Sequence, residues 1–133
     1  MKGKLFDASA LVNIMVNRGS ETTKLLRNNM ILDLTVYEVG NTIWKLCYLE
    51  KKISYEQACK FLNSFLTLLD YMDVLSINGI EENVKNLSVE EGMTFYDASY
   101  LAVAENKDLI LVTDDAMLAK VASKVKAIPS DRV

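Results

Sequence analysis

Leu109-Ile110-Leu111-Val112-Thr113-Asp114-Asp115 is the run that decides the fold. Four consecutive apolar residues, two of them β-branched, have the length and make-up of a strand buried on both faces, the kind found in parallel sheets. Asp114 and Asp115 then open a helix, because short acidic side chains satisfy the free amides of a first turn. Apolar spacing carries that helix to about Lys124, and Lys126-Ala127-Ile128 reads as an edge strand stopped by Pro129.

Upstream, the same alternation repeats. Thr94-Phe95-Tyr96-Asp97 starts an Ala-rich helix to about Glu105, and Gly92 is placed to end the preceding helix, Asn78 to Glu91, in the left-handed conformation. Val74–Ile77 is a strand. Ser54…Gln57 has capping-box spacing ahead of a helix to about Leu69. Thr35-Val36-Tyr37-Glu38 begins a long helix that ends on Glu50-Lys51-Lys52, after a strand at Met30–Leu34. A short helix capped by Ser20 runs to Arg27, and Lys4–Asp7 is a first strand leading into a helix over Ala8–Val16. Strands separated by helices predict an α/β fold in three α/β/α layers, with a central, mainly parallel sheet flanked by helices. The 133 residues fit one domain over 1–133.

Composition narrows the chemistry. The chain has no histidine, which removes the Ser–His–Asp triad, the Cys–His pair and the usual His-bearing zinc sites. Its 5 glycines lie too far apart for a dinucleotide fingerprint or a P-loop. Cys47 and Cys59 lack metal-ligand spacing and read as reduced, partly buried thiols. A net charge of −3 disfavours a passive nucleic-acid binder without disfavouring an enzyme whose acids gather around a cation. No apolar run approaches a membrane span and the first residues lack a secretory signal, so a cytoplasmic protein is expected.

Four acids occupy special positions: Asp7, Glu38, Asp97 and Asp115 each begin, or lie in the first turn of, an expected helix. Singly, each reads as a helix cap that complements the macrodipole. Thr35…Glu38 has the spacing of a reciprocal capping box, and Thr94…Asp97 resembles one. Jointly they say more. In an open α/β sheet, ligands bind beyond the carboxyl ends of the strands. Asp7 and Asp115 sit there, and Glu38 follows the second strand by a few residues. Crowded carboxylates repel, and a hard divalent cation such as Mg²⁺ or Mn²⁺ relieves the repulsion.

These segments also carry a resemblance. Asp7-Ala8-Ser9-Ala10-Leu11 after the first strand resembles the opening of PIN domains. So do Glu38 early in its helix, the helix Asp97-Ala98-Ser99-Tyr100-Leu101-Ala102-Val103-Ala104, and Leu111-Val112-Thr113-Asp114-Asp115 after a strand. The likeness runs from residue 3 to about 128, and is nearest to VapC-like toxins of toxin–antitoxin operons. It implies an acidic quartet of Asp7, Glu38, Asp97 and Asp115. Asp7, Asp97 and Asp115 would be metal ligands, Glu38 a ligand or a water-orienting group, and Ser9 and Thr113 supporting hydroxyls. Asp114 falls at a variable position and reads as a helix cap. The activity implied is Mg²⁺- or Mn²⁺-dependent endonucleolytic hydrolysis of RNA, in single-stranded or loop regions. The implied partners are a second copy of the chain and a small antitoxin protein.

Two further readings of the residues bear on partners. Lys45, Lys51, Lys52, Lys120 and Lys124 could follow a strand backbone or be ordinary solvated surface. The segment Tyr55–Tyr71, with Phe61, Leu62, Phe65, Leu66, Leu68 and Leu69, is apolar on more than one face, which suits core packing or a partner-binding surface. A phosphatase that starts with an acid after its first strand would need a second Asp where Ser9 stands. The remaining alternative is a non-catalytic, degenerate PIN scaffold that binds RNA or protein.

Overall fold

The computed structural model describes residues 2–122 and 125–133. Its elements are β1 (Lys4–Phe6), α1 (Ala8–Arg18), α2 (Thr22–Leu26), β2 (Met30–Leu32), α3 (Asp33–Trp44), α4 (Tyr55–Leu69), β3 (Asp73–Leu75), α5 (Glu81–Glu91), α6 (Phe95–Asn106), β4 (Ile110–Val112), α7 (Ala116–Val121) and β5 (Ala127–Ile128). The sheet has five strands in the order β3-β2-β1-β4-β5, all of them parallel. The chain winds one way from β1 through β2 to β3, then returns to the other side of β1 with β4. Strand order therefore reverses between β1 and β4, where Leu5 pairs with Leu111 and Phe6 with Val112. Such a reversal leaves a crevice at the carboxyl ends of the two strands.

Successive strand residues point to opposite faces, so each strand feeds two cores. Phe6, Ile31 and Val112 pack with Leu11 and Ile14 of α1, Val39 of α3 and Phe65 and Leu68 of α4. Their neighbours Leu5, Leu32 and Leu111 pack on the other side with Tyr100, Val103 and Ala104 of α6 and Leu118 of α7. That division makes the three layers. A smaller cluster of Val84, Ala98 and Ala102 joins α5 to α6.

Several boundaries differ from the sequence expectation. The strands are shorter than expected: β1 and β2 stop early, at Phe6 and Leu32, β3 runs Asp73–Leu75 rather than Val74–Ile77, β4 loses a residue at each end and β5 its first. The stretch 19–21 is a 3₁₀ turn and α2 starts at Thr22 without a side-chain cap, so Ser20 does not cap it. The long helix starts at Asp33, two residues before Thr35, and gives way to a π-helical turn at Lys45–Leu49. The helix before Gly92 starts at Glu81 rather than Asn78. Gly92 itself has φ 66°, the left-handed cap its position implied. The Ser54–Gln57 capping box forms with both bonds in place (2.8 and 3.1 Å). The last helix ends at Val121; Lys124, where it was expected to stop, lies outside the described residues. Cys47 is part-buried, whereas Cys59 is exposed, and both are free thiols.

Candidate active site

Asp7 follows β1 directly and caps α1. Its amide donates to the Val112 carbonyl (3.1 Å), which locks the turn to β4. Its Oδ1 accepts the Ser9 hydroxyl (2.7 Å) and the Ala10 amide (2.9 Å). The other oxygen, Oδ2, accepts the Thr113 hydroxyl across the strand reversal. The residue is only 6% exposed. Burial pushes its carboxyl above the ordinary range; the bonds from Thr113, Ala10 and Ser9 oppose the rise, and the charge of Asp114 adds to it.

Thr113 joins the two strand ends. While its hydroxyl donates to Asp7, the same oxygen accepts the Asp115 amide (3.0 Å), and its own amide donates to the Ile128 carbonyl of β5 (3.0 Å). Asp115 then caps α7, its Oδ1 accepting the amides of Met117 (2.9 Å) and Leu118 (3.2 Å). Asp115 uses one oxygen for the cap and leaves the other without a hydrogen bond among the described residues, whereas both oxygens of Asp7 are engaged, Oδ1 in the cap and Oδ2 with Thr113.

Glu38 is held differently from the expectation. Because α3 starts at Asp33, Glu38 lies in its second turn, and no capping box links it to Thr35. Thr35 instead accepts the Leu32 amide on its hydroxyl (3.1 Å) and meets the Tyr100 hydroxyl (2.7 Å); Tyr100 in turn donates to Glu38 Oε1. A chain of hydrogen bonds thus runs from the β2–α3 junction through α6 to the Glu38 carboxylate. Burial pushes the Glu38 carboxyl up, the Tyr100 bond opposes this, and the charges of Asp7 and Asp97 raise it further. Tyr100 is buried and its phenol is pushed far upward, first by burial and then by Glu38, so it remains protonated and a donor.

Asp97 lies in the first turn of α6, where Thr94 caps the helix by accepting the Asp97 amide (3.1 Å). Burial raises its carboxyl, followed by the charge of Asp115. The four acids are thus electrostatically linked in one series, Asp7 to Glu38, Glu38 to Asp97, and Asp97 to Asp115. The oxygens Glu38 Oε2 and Asp115 Oδ2 accept no hydrogen bond among the described residues.

This donor set is made of hard oxygens, and burial first, then neighbouring negative charge, makes Asp7, Glu38 and Asp97 reluctant to ionise, the chemistry a divalent cation relieves. Among the described residues, no three of the acids and cysteines are arranged to hold an ion between them. The set therefore fits a cation held by one or two carboxylates and completed by water, rather than an all-protein cage.

Sequence reasoning missed three contributors. Tyr100 and Thr35 lie apart on separate helices, and only helix packing brings them together. Asp114 is no helix cap. Its carboxylate accepts the Asn13 amide group (2.7 Å), the Ser130 amide (2.8 Å) and the Ser130 hydroxyl, which ties the carboxyl-terminal turn to α1. These bonds outweigh burial and hold its carboxyl below the ordinary range. Of the lysines named from the sequence, Lys45 and Lys52 pair with Glu50 (4.0 and 2.8 Å), Lys51 lies 5.7 Å from the ring centre of Tyr48, and Lys124 lies outside the described residues. On α4, Phe65 and Leu68 are core, whereas Leu62 and Leu66 are exposed.

The model of the PIN-domain family matches residues 4–124. The chain is 39% identical over 117 residues to the exonuclease VapC9 of Pyrobaculum aerophilum, covering 87% of this chain and 84% of that protein. It is 33% identical over 92 residues to the ribonuclease VapC3 of the same organism, covering 67% of each. The crystal structure of PAE2754 from Pyrobaculum aerophilum superposes with a TM-score of 0.80 at 34% identity, covering 98% of this chain and 92% of that one. A toxin–antitoxin complex from Klebsiella pneumoniae shares the fold at a TM-score of 0.69 and 22% identity, covering 96% and 98%.

Proposed function

The chain belongs to the PIN-domain family, and on that premise we propose that it is a divalent-cation-dependent endoribonuclease, the toxin of a type II toxin–antitoxin pair. One observation carries the reading: the Thr113 hydroxyl joins Asp7 to the Asp115 amide at the carboxyl ends of β1 and β4, and Glu38 and Asp97, on two further helices, extend the acidic set, Glu38 lying within the field of Asp7 and Asp97 and Asp97 within that of Asp115. The ribonuclease name of the VapC3 relative supports RNA as substrate. The toxin–antitoxin complex that shares the fold supports a small antitoxin as partner. A homodimer is part of the proposal, with the exposed Leu62 and Leu66 of α4 as apolar surface available to a partner. So is a single domain over 1–133.

Asp7, Asp97 and Asp115 are the groups that would hold Mg²⁺ or Mn²⁺, one or two of them to a given ion with water completing its shell, and Glu38 would bind it or orient the attacking water. When bound, the cation supplies charge neutralisation at the phosphodiester oxygens and a lower pKa for water. The rest falls to the chain's own groups. Thr113 and Ser9 keep Asp7 in one rotamer by donating to both of its oxygens. Tyr100 aims Glu38, whose free Oε2 can accept a hydrogen bond from the water that attacks phosphorus as one P–O ester bond breaks. The raised carboxyl of Glu38 makes it the better proton acceptor.

Two observations favour other readings. The VapC9 relative is named an exonuclease, and the lack of a three-ligand arrangement among the described residues suits a degenerate scaffold that binds RNA or protein without cutting it. Calorimetric titration with Mn²⁺, followed by cleavage of circular and linear single-stranded RNA, separates the three. Binding with cleavage of the circle supports the endonuclease, and cleavage of linear RNA alone supports the exonuclease. No Mn²⁺ binding and no cleavage would leave the scaffold. Nuclease activity that persists at wild-type level in Asp7→Asn or Asp97→Asn would defeat the site assignment.

A further inference from the structure

Tyr37 and Tyr96 immediately precede Glu38 and Asp97 in the chain, and both rings stand in solvent, 79% and 61% exposed. Neither hydroxyl has a hydrogen-bond partner among the described residues. Tyr100, by contrast, is buried and doubly bonded. The two exposed rings line the same cleft of about 690 Å³, which also takes in Ser9, Glu38 and Asn41. They line a second, more apolar hollow of about 250 Å³ with Phe95 and Ile77. The cleft therefore leads from the acidic rim onto aromatic faces that contribute little to the core.

The charge of these hollows limits what they can hold. Among the described residues, the charged groups that line them are Glu38 and Asp33, both acidic, with no lysine or arginine. A polynucleotide there gains no ion pair to its phosphates from these walls, only single hydrogen bonds from groups such as Ser9, Asn41 and Thr42, and a cation at the rim reaches only the nearest phosphates. Much of the affinity then falls to the bases. Aromatic rings without charge or hydrogen-bond commitments suit that task, because every base has a π-face and stacking tolerates any sequence.

We infer that Tyr37 and Tyr96 form a stacking platform for the unpaired bases beside the scissile phosphate, which selects single-stranded RNA by the splayed geometry of its bases. The inference rests on the nuclease reading above and names the specificity device of that site. Asn41 lies in the same cleft, within the set of groups that could meet a base edge. A duplex, whose bases are stacked on one another, has no free face to offer.

The test is fluorescence anisotropy with a short labelled single-stranded RNA in Ca²⁺, set beside a hairpin of the same composition and the same strand carrying abasic residues. The proteins are wild type, Tyr37→Leu, Tyr96→Leu and Tyr37→Phe. Each Leu variant should bind the single strand about tenfold more weakly, the scale of one base–aromatic stack, while Tyr37→Phe keeps wild-type affinity. The abasic strand should bind wild type weakly, and the Leu substitutions should then cost nothing more. Leu variants that bind like wild type overturn the platform. Losses of equal size on the intact and abasic strands also overturn it, since the rings then act on the backbone rather than on the bases. A cleavage assay in Mg²⁺ separates the two levels. Stacking losses without any cleavage by wild type sink the nuclease reading and keep the platform; cleavage with no stacking losses does the reverse.

Discussion

Tyr100 donates its phenolic hydrogen bond to Glu38 across 62 residues of chain, and it does so from inside the core. The same hydroxyl meets Thr35, which is itself engaged by the Leu32 amide, so the orientation of Glu38 is set by the junction of β2 and α3. A carboxylate on one helix is aimed by a phenol on another. Removing the phenolic oxygen is therefore expected to act on two readouts at once. Tyr100→Phe strands Thr35 and costs about 1–3 kcal/mol of stability in denaturant unfolding. It also removes the bond that restrains the rise of the Glu38 carboxyl. The acidic limb of the rate–pH profile should then move to higher pH, a shift that a loss of stability alone does not produce.

Thr113 is expected to behave as a positioning residue for Asp7 and Asp115 together. Thr113→Val keeps the shape and removes the oxygen that donates to one acid and accepts the amide of the other. Cleavage should fall about 10–100-fold, as for groups that orient metal ligands, with Thr113→Ser recovering most of it. A Val variant with wild-type rate and wild-type dependence on Mg²⁺ concentration would remove Thr113 from the site.

The acidic rim has a stability signature with a definite sign. Asp7, Glu38 and Asp97 have folded-state pKa values raised above the ordinary range. The folded protein therefore holds protons that the unfolded chain has released, and stability falls as pH rises through that window. In EDTA at neutral pH, Asp97→Asn removes part of the repulsion and is expected to raise Tm. In Mg²⁺ or Mn²⁺ the order should reverse, since a cation that binds only the folded state stabilises wild type more. Thermal melts with and without the cation check both halves.

Asp114 carries the opposite sign. Its carboxyl is held below the ordinary range, so the stability it contributes is present above the unfolded-state pKa and is lost as pH falls through the folded one. Asp114→Ala should cost about 1 kcal/mol, discounted for its exposure to solvent. The larger effect should be local: hydrogen exchange at the Ser130 amide, which donates to Asp114 (2.8 Å), should accelerate far more than exchange in β4.

How much of this was legible beforehand varies by residue. The placement of Asp7, Asp97 and Asp115 at helix starts was legible because each combines a strand end or helix start with a short acidic side chain, signals carried within a few neighbouring positions. The local setting of Glu38 was not. The helix start was read from Thr35, whereas Asp33 begins it, and the capping box expected there is replaced by the bond from Leu32 to Thr35. Asp114 looked like a cap because caps are local, and its true partners, Asn13 and Ser130, are not.

The alternation of apolar strands with amphipathic helices, the absence of histidine and the placement of acids at element ends belong to the chain alone, since periodicity and capping act between close neighbours. Tertiary structure alone decided that Tyr100 holds Glu38, that Thr113 joins Asp7 to Asp115, and which tyrosines are left in solvent. The physical reason lies in the sheet. Its order β3-β2-β1-β4-β5 brings residues more than a hundred positions apart to adjacent strand ends, and contacts made through space leave no periodic trace along the chain.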